Sequence, residues 1–289
     1  ASCPCRSHGP NYQMTFVAPL VMGVLNTTPD SFSDGGKYTT LETALAQVAA
    51  MVEAGANIID VGGESTRPGA ERVSVEEEKR RVIEVIREIK SNYKILVSID
   101  TMNAATAAAA IEAGADIIND VSGGLADEAM FAVAAQSQKH IVISHWRGFS
   151  TEMDALNDYE NVAKDVAKEL QKRIQAALES GITREQIIVD PGLGFAKDAE
   201  QNWQLVANLN ELEKLGFPIL VGASRKRFIA AALDELNPTS VSNGRRDMAT
   251  AVLTALLLQR KLWGVRVHDV QGTVDAIAMV SALRSAEAE

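Results

Sequence analysis

The chain has 289 residues, 46% of them hydrophobic and 23% charged, the make-up of an ordinary globular protein. Asp plus Glu outnumber Lys plus Arg by 38 to 28, so the net charge of -10 argues against a nucleic-acid partner, which needs a basic face. A local basic pocket for an anionic ligand remains compatible with that charge. No apolar run is long enough to span a bilayer, and residues 1–13 lack the apolar segment of a secretory signal, so the reading is a cytoplasmic enzyme with no membrane partner.

Residues 1–18 read as a tail and lead-in, and residues 19–289 as one catalytic domain. The two cysteines, Cys3 and Cys5, lie in the tail with His8. Three ligands are too few for a closed structural zinc site. With no cysteine in the body there is no disulfide framework.

From there the chain repeats one pattern: a short apolar run, a polar residue, a loop and a helix. Leu20–Leu25 is a strand ending at Asn26, followed by the turn-rich loop Thr27–Tyr38 and a helix over Thr40–Glu53. Ile58–Val61, with Asp60 in it, leads into Gly62-Gly63-Glu64-Ser65-Thr66-Arg67-Pro68-Gly69, whose hydroxyl and guanidinium suit an anion. Ser74-Val75-Glu76-Glu77 has the form of a capping box for a helix to Lys90, with Glu76–Arg80 and Glu77–Arg81 as pairs on a solvated face. Ile95–Ile99 ends in Asp100, and an alanine-rich helix follows to Ala113. Ile117-Ile118 ends in Asn119-Asp120 before a helix through Ala135. Ile141–Ser144 ends in His145, with a long helix over Tyr159–Glu179. Ile187–Val189 ends in Asp190-Pro191-Gly192-Leu193-Gly194-Phe195, with a helix over about Glu200–Leu215. Ile219–Val221 leads to Gly222-Ala223-Ser224-Arg225-Lys226 and a short helix Arg227–Leu233, then a helix over Asp247–Leu262. Val265–Val267 contains Arg266 and ends in His268-Asp269, before a last helix Val274–Arg284.

Eight such units in one chain of this length predict an α/β fold, a single (β/α)8 barrel. The competitor is an open doubly wound sheet. That class usually carries a glycine fingerprint, and here Gly192 and Gly194 are followed by Ala196 and Lys197, so none forms.

In a (β/α)8 barrel the strands' C-terminal ends converge on the active site. The strand ends here are Asn26, Asp60, Asp100, Asn119 with Asp120, His145, Asp190, Lys226, and Arg266 with His268. Asn119, Asp120 and His145 are each as compatible with a cap or core hydrogen bond as with a site. The whole ring is not, because buried charges of this number need a charged ligand to offset them. Asp100, Asn119, Asp190 and Lys226 suit a polar planar heterocycle. Asn26, Thr66, Arg67, Arg266 and His268 suit a phosphate group, with or without Mg²⁺.

Seven motifs in order, at Asn26–Gly36, Asp60–Gly69, Ser98–Thr101, Ile118–Gly123, Asp190–Phe195, Gly222–Lys226 and Arg266–Asp269, resemble the bacterial dihydropteroate synthases. The resemblance implies a sulfonamide-target transferase that joins p-aminobenzoate to 6-hydroxymethyl-7,8-dihydropterin pyrophosphate. It implies that Asp100, Asn119, Asp190, Lys226 and Arg266 hold the pterin. Asn26, Thr66, Arg67, Arg266 and His268 would hold the pyrophosphate, with Mg²⁺ on Asn26. Phe32, Thr66, Pro68, Phe195, Lys226 and Arg227 would border the p-aminobenzoate pocket, and Asp100, Lys226, Arg67 and His268 would be catalytic. A homodimer is also implied. Arg227 stands where a serine is frequent, and Thr27 where an aliphatic residue is. A corrinoid-linked methyltransferase and a binding protein without turnover are the rival readings.

Overall fold

Short apolar strands joined by helical crossovers bury both faces only as a parallel sheet with helices outside it. The computed structural model, which describes residues 18–27, 37–64, 72–149 and 155–287, has that arrangement. Its strands are β1 Leu20–Asn26, β2 Ile58–Gly62, β3 Leu96–Asp100, β4 Ile117–Asp120, β5 His140–Ser144, β6 Ile187–Asp190, β7 Leu220–Val221 and β8 Gly264–Val267. The α-helices among the described residues are α1 Lys37–Glu53, α2 Val75–Asn92, α3 Ala104–Glu112, α4 Met130–Ser137, α5 Val162–Glu179, α6 Ala199–Ala207, α7 Asn210–Glu213, α8 Arg227–Leu233, α9 Asn243–Leu257 and α10 Val270–Glu287.

The strands pair in parallel in the order β6-β5-β4-β3-β2-β1-β8-β7. A bridge between Val189 and Ile219, with Val189 N–H donating to Pro218 O at 2.9 Å, brings the two ends together in a nearly closed barrel. The fold is the predicted (β/α)8 barrel.

Side-chain parity then places the site. Met22, Ile58, Ile117, Val142, Ile188 and Leu220 pack together in a small cluster separate from the large core. The large core takes Ile59, Val61, Ile99, Ile118, Ile143 and Val189 together with residues of the helices. Side chains alternate along a strand. Two or four residues beyond the small cluster, the same inward face therefore carries Asn26, Asp60, Asn119, Ser144, Asp190 and Gly222. Register carries Asp100 with them, since Asn26 pairs with Gly62, Gly62 with Asp100, and Asp100 with Asn119.

Some local expectations need correction. Ser74 caps α2, its side chain accepting from Glu77 N–H at 3.3 Å. The Glu77 carboxylate does not return to the cap; it pairs with Arg81 at 2.7 Å and with Arg80. With Arg80 so engaged, Glu76 pairs with Lys79 at 3.1 Å and the expected Glu76–Arg80 pair does not form. The helix expected over residues 200–215 divides into α6 and α7 at Asn208–Leu209. The helix expected from Asp247 starts one turn earlier, where Ser242 accepts from Arg245 N–H, and ends at Leu257. The predicted tail lies outside the described residues, apart from residue 18.

Candidate active site

The interior of the barrel mouth is built on an arginine held by two carboxylates. Arg266 Nε donates to Asp60 Oδ2 at 2.6 Å, and Arg266 Nη2 donates to Asp100 Oδ2 at 2.6 Å. Asn119 Nδ2 also donates to Asp60 Oδ2, at 3.1 Å. Asp60 has no solvent exposure, and its second oxygen has no hydrogen-bond partner among the described residues. Burial would lower the Arg266 pKa, but Asp60 and Asp100 outweigh it and hold the guanidinium above its ordinary value. Asp100 moves the other way: burial pushes its carboxyl up to about 7, with Arg266 opposing and Asp60 adding to the rise.

Asp190 and Lys226 form the second half. Burial raises the Asp190 carboxyl, and the Lys226 ammonium opposes that. Burial lowers Lys226 to about 8, against the pull of Asp190. A Cβ on Gly222 would stand 3.6 Å from Asp190 Oδ2 and 3.7 Å from Arg266 Cβ, so this glycine leaves open the space between the two halves. Gly62 does the same between Asn26 and Asp100, with distances of 3.8 Å to Asn26 Oδ1 and 3.6 Å to Asp100 Cβ.

Lys226 Nζ donates to Leu193 O and lies 4.6 Å from the centre of the Phe195 ring. The ring thus forms a half-buried aromatic wall beside the lysine. On the β8 side, Ser224 Oγ accepts from His268 N–H at 3.2 Å and lies 2.9 Å from His268 Nδ1. A hydroxyl hydrogen directed to Nδ1 leaves the ring proton of neutral His268 on Nε2. Arg227 is exposed at the first position of α8, next to Lys226.

The arrangement offers two carboxyls, a carboxamide and a lysine around a cleft, with an arginine at its floor and a histidine at its edge. Such a set matches a heterocycle with paired N–H donors that carries an anionic arm. Residues 22–268 match the family described as "Pterin binding enzyme". The chain belongs to the pterin-binding enzyme family. It is 48% identical over 263 residues to the dihydropteroate synthase of Streptococcus pyogenes serotype M1, covering 91% of this chain and 95% of that one. Among solved structures it resembles the Xanthomonas albilineans dihydropteroate synthase with 4-aminobenzoic acid, at 40% identity and a TM-score of 0.84, covering 92% and 93% of the two chains. It also resembles the Yersinia pestis dihydropteroate synthase in a sulfonamide drug complex, at 36% identity and a TM-score of 0.85, covering 92% and 94%.

The expected pterin residues Asp100, Asn119, Asp190, Lys226 and Arg266 all come together at this mouth, with Asn26 and His268 at its rim. Phe32, Thr66, Arg67 and Pro68 lie outside the described residues. What is described is the root of the Arg67 loop: Arg72 Nε donates to Glu64 Oε1 at 3.0 Å and Arg72 Nη2 to Asn103 Oδ1 at 3.0 Å, which ties its two ends together.

Asp120 and His145 do not join the cleft. Asp120 accepts from Ser122 N–H, Ser122 Oγ and Gly124 N–H at 2.6 to 2.8 Å, and so caps the turn after β4. His145 follows the inward Ser144, so parity turns it outward, where its ring meets Glu169 and Lys197. Two residues of the site had no role assigned from sequence. Asp60 anchors Arg266, and its even spacing from Ile58 was the available signal. Ser224 orients His268, and nothing in the sequence marked that pair.

Proposed function

We infer that this chain catalyses the dihydropteroate synthase reaction, condensing 6-hydroxymethyl-7,8-dihydropterin pyrophosphate with p-aminobenzoate to 7,8-dihydropteroate and pyrophosphate in folate biosynthesis. It belongs to the class of sulfonamide targets. The observation that carries the reading is the paired-carboxylate mouth, with Asp100 and Asp190 facing one cleft floored by Arg266.

In the proposed roles, Asp190, Asn119 and Lys226 bind the pterin edge, and Arg266 lies against its ring. The aniline nitrogen of p-aminobenzoate is a weak nucleophile, so the bond to pyrophosphate breaks early and positive charge spreads into the pterin. Asp100, already beside Arg266, stabilises that cation as a carboxylate. His268 Nε2–H, Arg67 and Thr66 stabilise the departing anion. This is electrostatic preorganisation more than proton transfer. Phe195, Lys226, Phe32, Thr66, Pro68 and Arg227 border the p-aminobenzoate pocket.

The residues also fit a Mg²⁺ ion. Asn26 supplies a hard oxygen donor at the rim, close to the Asp100 side chain across Gly62. Among the described residues no group of three acidic, His or Cys side chains is placed to hold a metal unaided. Mg²⁺, which takes few protein ligands, would complete its shell with waters and phosphate oxygens. Bound there, it would supply Lewis-acid stabilisation of the leaving pyrophosphate.

The proposed assembly is a homodimer. Met248, Val252 and Leu256 on α9, and Met279 and Leu283 on α10, are exposed apolar side chains spaced four residues apart on two helices that pack together. No helix among the described residues is long and apolar enough to cross a membrane, and the proposed location is the cytoplasm.

Pyrophosphate release tests the activity. Release that requires both p-aminobenzoate and the pterin pyrophosphate is expected. Pterin binding without release points instead to a binding protein, and methyl transfer from a folate to a corrinoid points to the rival barrel enzyme.

A further inference from the structure

Outside the cleft, a buried polar assembly is centred on Lys197, a residue the proposed chemistry does not use. Its ammonium is buried and donates to Gly192 O at 2.9 Å and Phe195 O at 2.9 Å, and it lies 3.0 Å from His145 Nδ1. Two carbonyl oxygens and a ring nitrogen thus surround the one side-chain nitrogen. His145 Nε2 lies 2.9 Å from Glu169 Oε2, which gives the ring its Nε2–H tautomer. Glu169 is held in turn by Arg147 Nη2 at 2.6 Å and Nε at 3.1 Å. The Arg147 guanidinium lies 3.8 Å from the centre of the Tyr159 ring. Burial draws Lys197 well below the ordinary lysine value and drives His145 down to about 4, so the imidazole is neutral; against burial, bonds from His145 and Arg147 hold Glu169 at about 2.

The carbonyls that Lys197 holds belong to the turn between Asp190 and Phe195. That turn meets both members of the site's second half. Gly192 N–H donates to Asp190 Oδ1 at 2.6 Å, and Leu193 O accepts from Lys226. Its backbone fits only this path. Gly192 has φ +65°, and a Cβ there would stand 2.1 Å from His145 O; Gly194 has φ +77°, and its Cβ would stand 2.8 Å from Lys226 Cδ. Ala196, with φ +48°, is a non-glycine residue in left-handed backbone, and the bond that Lys197 Nζ donates to Phe195 O joins the residues on either side of it. Asn202 supports the same turn, accepting from Gly194 N–H at 2.6 Å and donating to Lys197 O at 3.2 Å.

We propose that Lys197, braced by His145 and Glu169, is a positioning residue that fixes the turn carrying Phe195 and so sets the p-aminobenzoate wall against the pterin site. It touches no substrate. The Asp190 backbone is anchored independently of the turn, by the β5–β6 ladder and by its carbonyl accepting from His145 N–H at 3.0 Å, and only its carboxylate also takes a bond from Gly192 N–H. Losing Lys197 therefore displaces Phe195 far more than Asp190, and the effect divides unequally between the two substrates. The inference rests on the proposed activity for its kinetic consequence and on the structure alone for the turn.

The test compares the wild-type chain with Lys197→Met, which keeps an unbranched side chain one heavy atom shorter and removes its hydrogen bonds. Amide hydrogen exchange in residues 192–196 is expected to rise by about tenfold without substrates, with the rest of the barrel unchanged. The KM for p-aminobenzoate is expected to rise by about tenfold, and that for the pterin pyrophosphate by less than about threefold. Unchanged exchange, or equal losses for both substrates, overturns the proposal. If Lys197→Met does not fold, Glu169→Gln decides: a smaller rise in exchange over the same residues supports the proposal, and none overturns it. A wild-type chain that turns over neither substrate defeats the functional reading, while the exchange comparison still judges Lys197.

Discussion

The Asp100 carboxyl sits where burial makes ionisation expensive, and replacing it with asparagine should make the protein more stable and far less active. Raising a carboxyl from 3.8 to about 7 costs on the order of 4 kcal/mol of stability at pH 8. That figure already contains the attraction of Arg266. The sign follows from proton binding. Because the folded pKa lies above the unfolded one, the folded protein binds more protons between about pH 4 and 7, and stability falls as pH rises through that window. An asparagine of the same shape binds no proton and keeps an oxygen for Arg266 Nη2. The stability advantage of Asp100→Asn is therefore expected to grow by roughly 2–3 kcal/mol between pH 5 and pH 8. Turnover is expected to fall by at least about a hundredfold, or about 2.7 kcal/mol of transition-state stabilisation. Urea unfolding at pH 5 and pH 8, with turnover at pH 8, measures both. A variant less stable than wild type at pH 8, or two stability profiles that run parallel, would refute the reasoning.

Three other outcomes follow from the same geometry. Gly192→Ala places a Cβ 2.1 Å from His145 O at positive φ and is expected to lose about 2–4 kcal/mol in urea unfolding; a loss under about 1 kcal/mol contradicts the turn as described. His268→Ala is expected to cut turnover by about tenfold to a hundredfold while changing affinity for a pterin without phosphates by less than about threefold, and equal losses would make the histidine structural. Val252→Glu, in the exposed face of α9, is expected to halve the mass measured by light scattering, and an unchanged mass argues against that face as the dimer contact.

Much of the barrel was legible because a parallel strand buried on both faces reads as a continuous apolar run, and most runs here end in or carry a polar residue. Asp100, Asn119, Asp190 and Arg266 could be placed on one ring from that fact alone. What the runs did not convey was which face each polar residue takes. His145 and Asp120 end strands too, yet each lies one residue beyond an inward position and serves a turn or a buried network. The role of Asp60 was hidden by distance in the chain, since its partner Arg266 lies 206 residues away. Lys197 was visible only as the residue that breaks a glycine fingerprint. Its significance depends on backbone carbonyls, which carry no sequence signal. Helix limits were least legible where caps compete, as at Ser242, where the first turn of α9 reads as loop.

The central claim is that this mouth joins p-aminobenzoate to the pterin, and labelled p-aminobenzoate tests it most directly. Its incorporation into dihydropteroate is followed with wild type and with Asp190→Ala side by side, alongside the thermal midpoint of each. The account predicts incorporation by wild type in step with pyrophosphate release, and a loss of at least about a hundredfold in Asp190→Ala with the fold retained. Equal incorporation by the two proteins, or none by wild type, would contradict it.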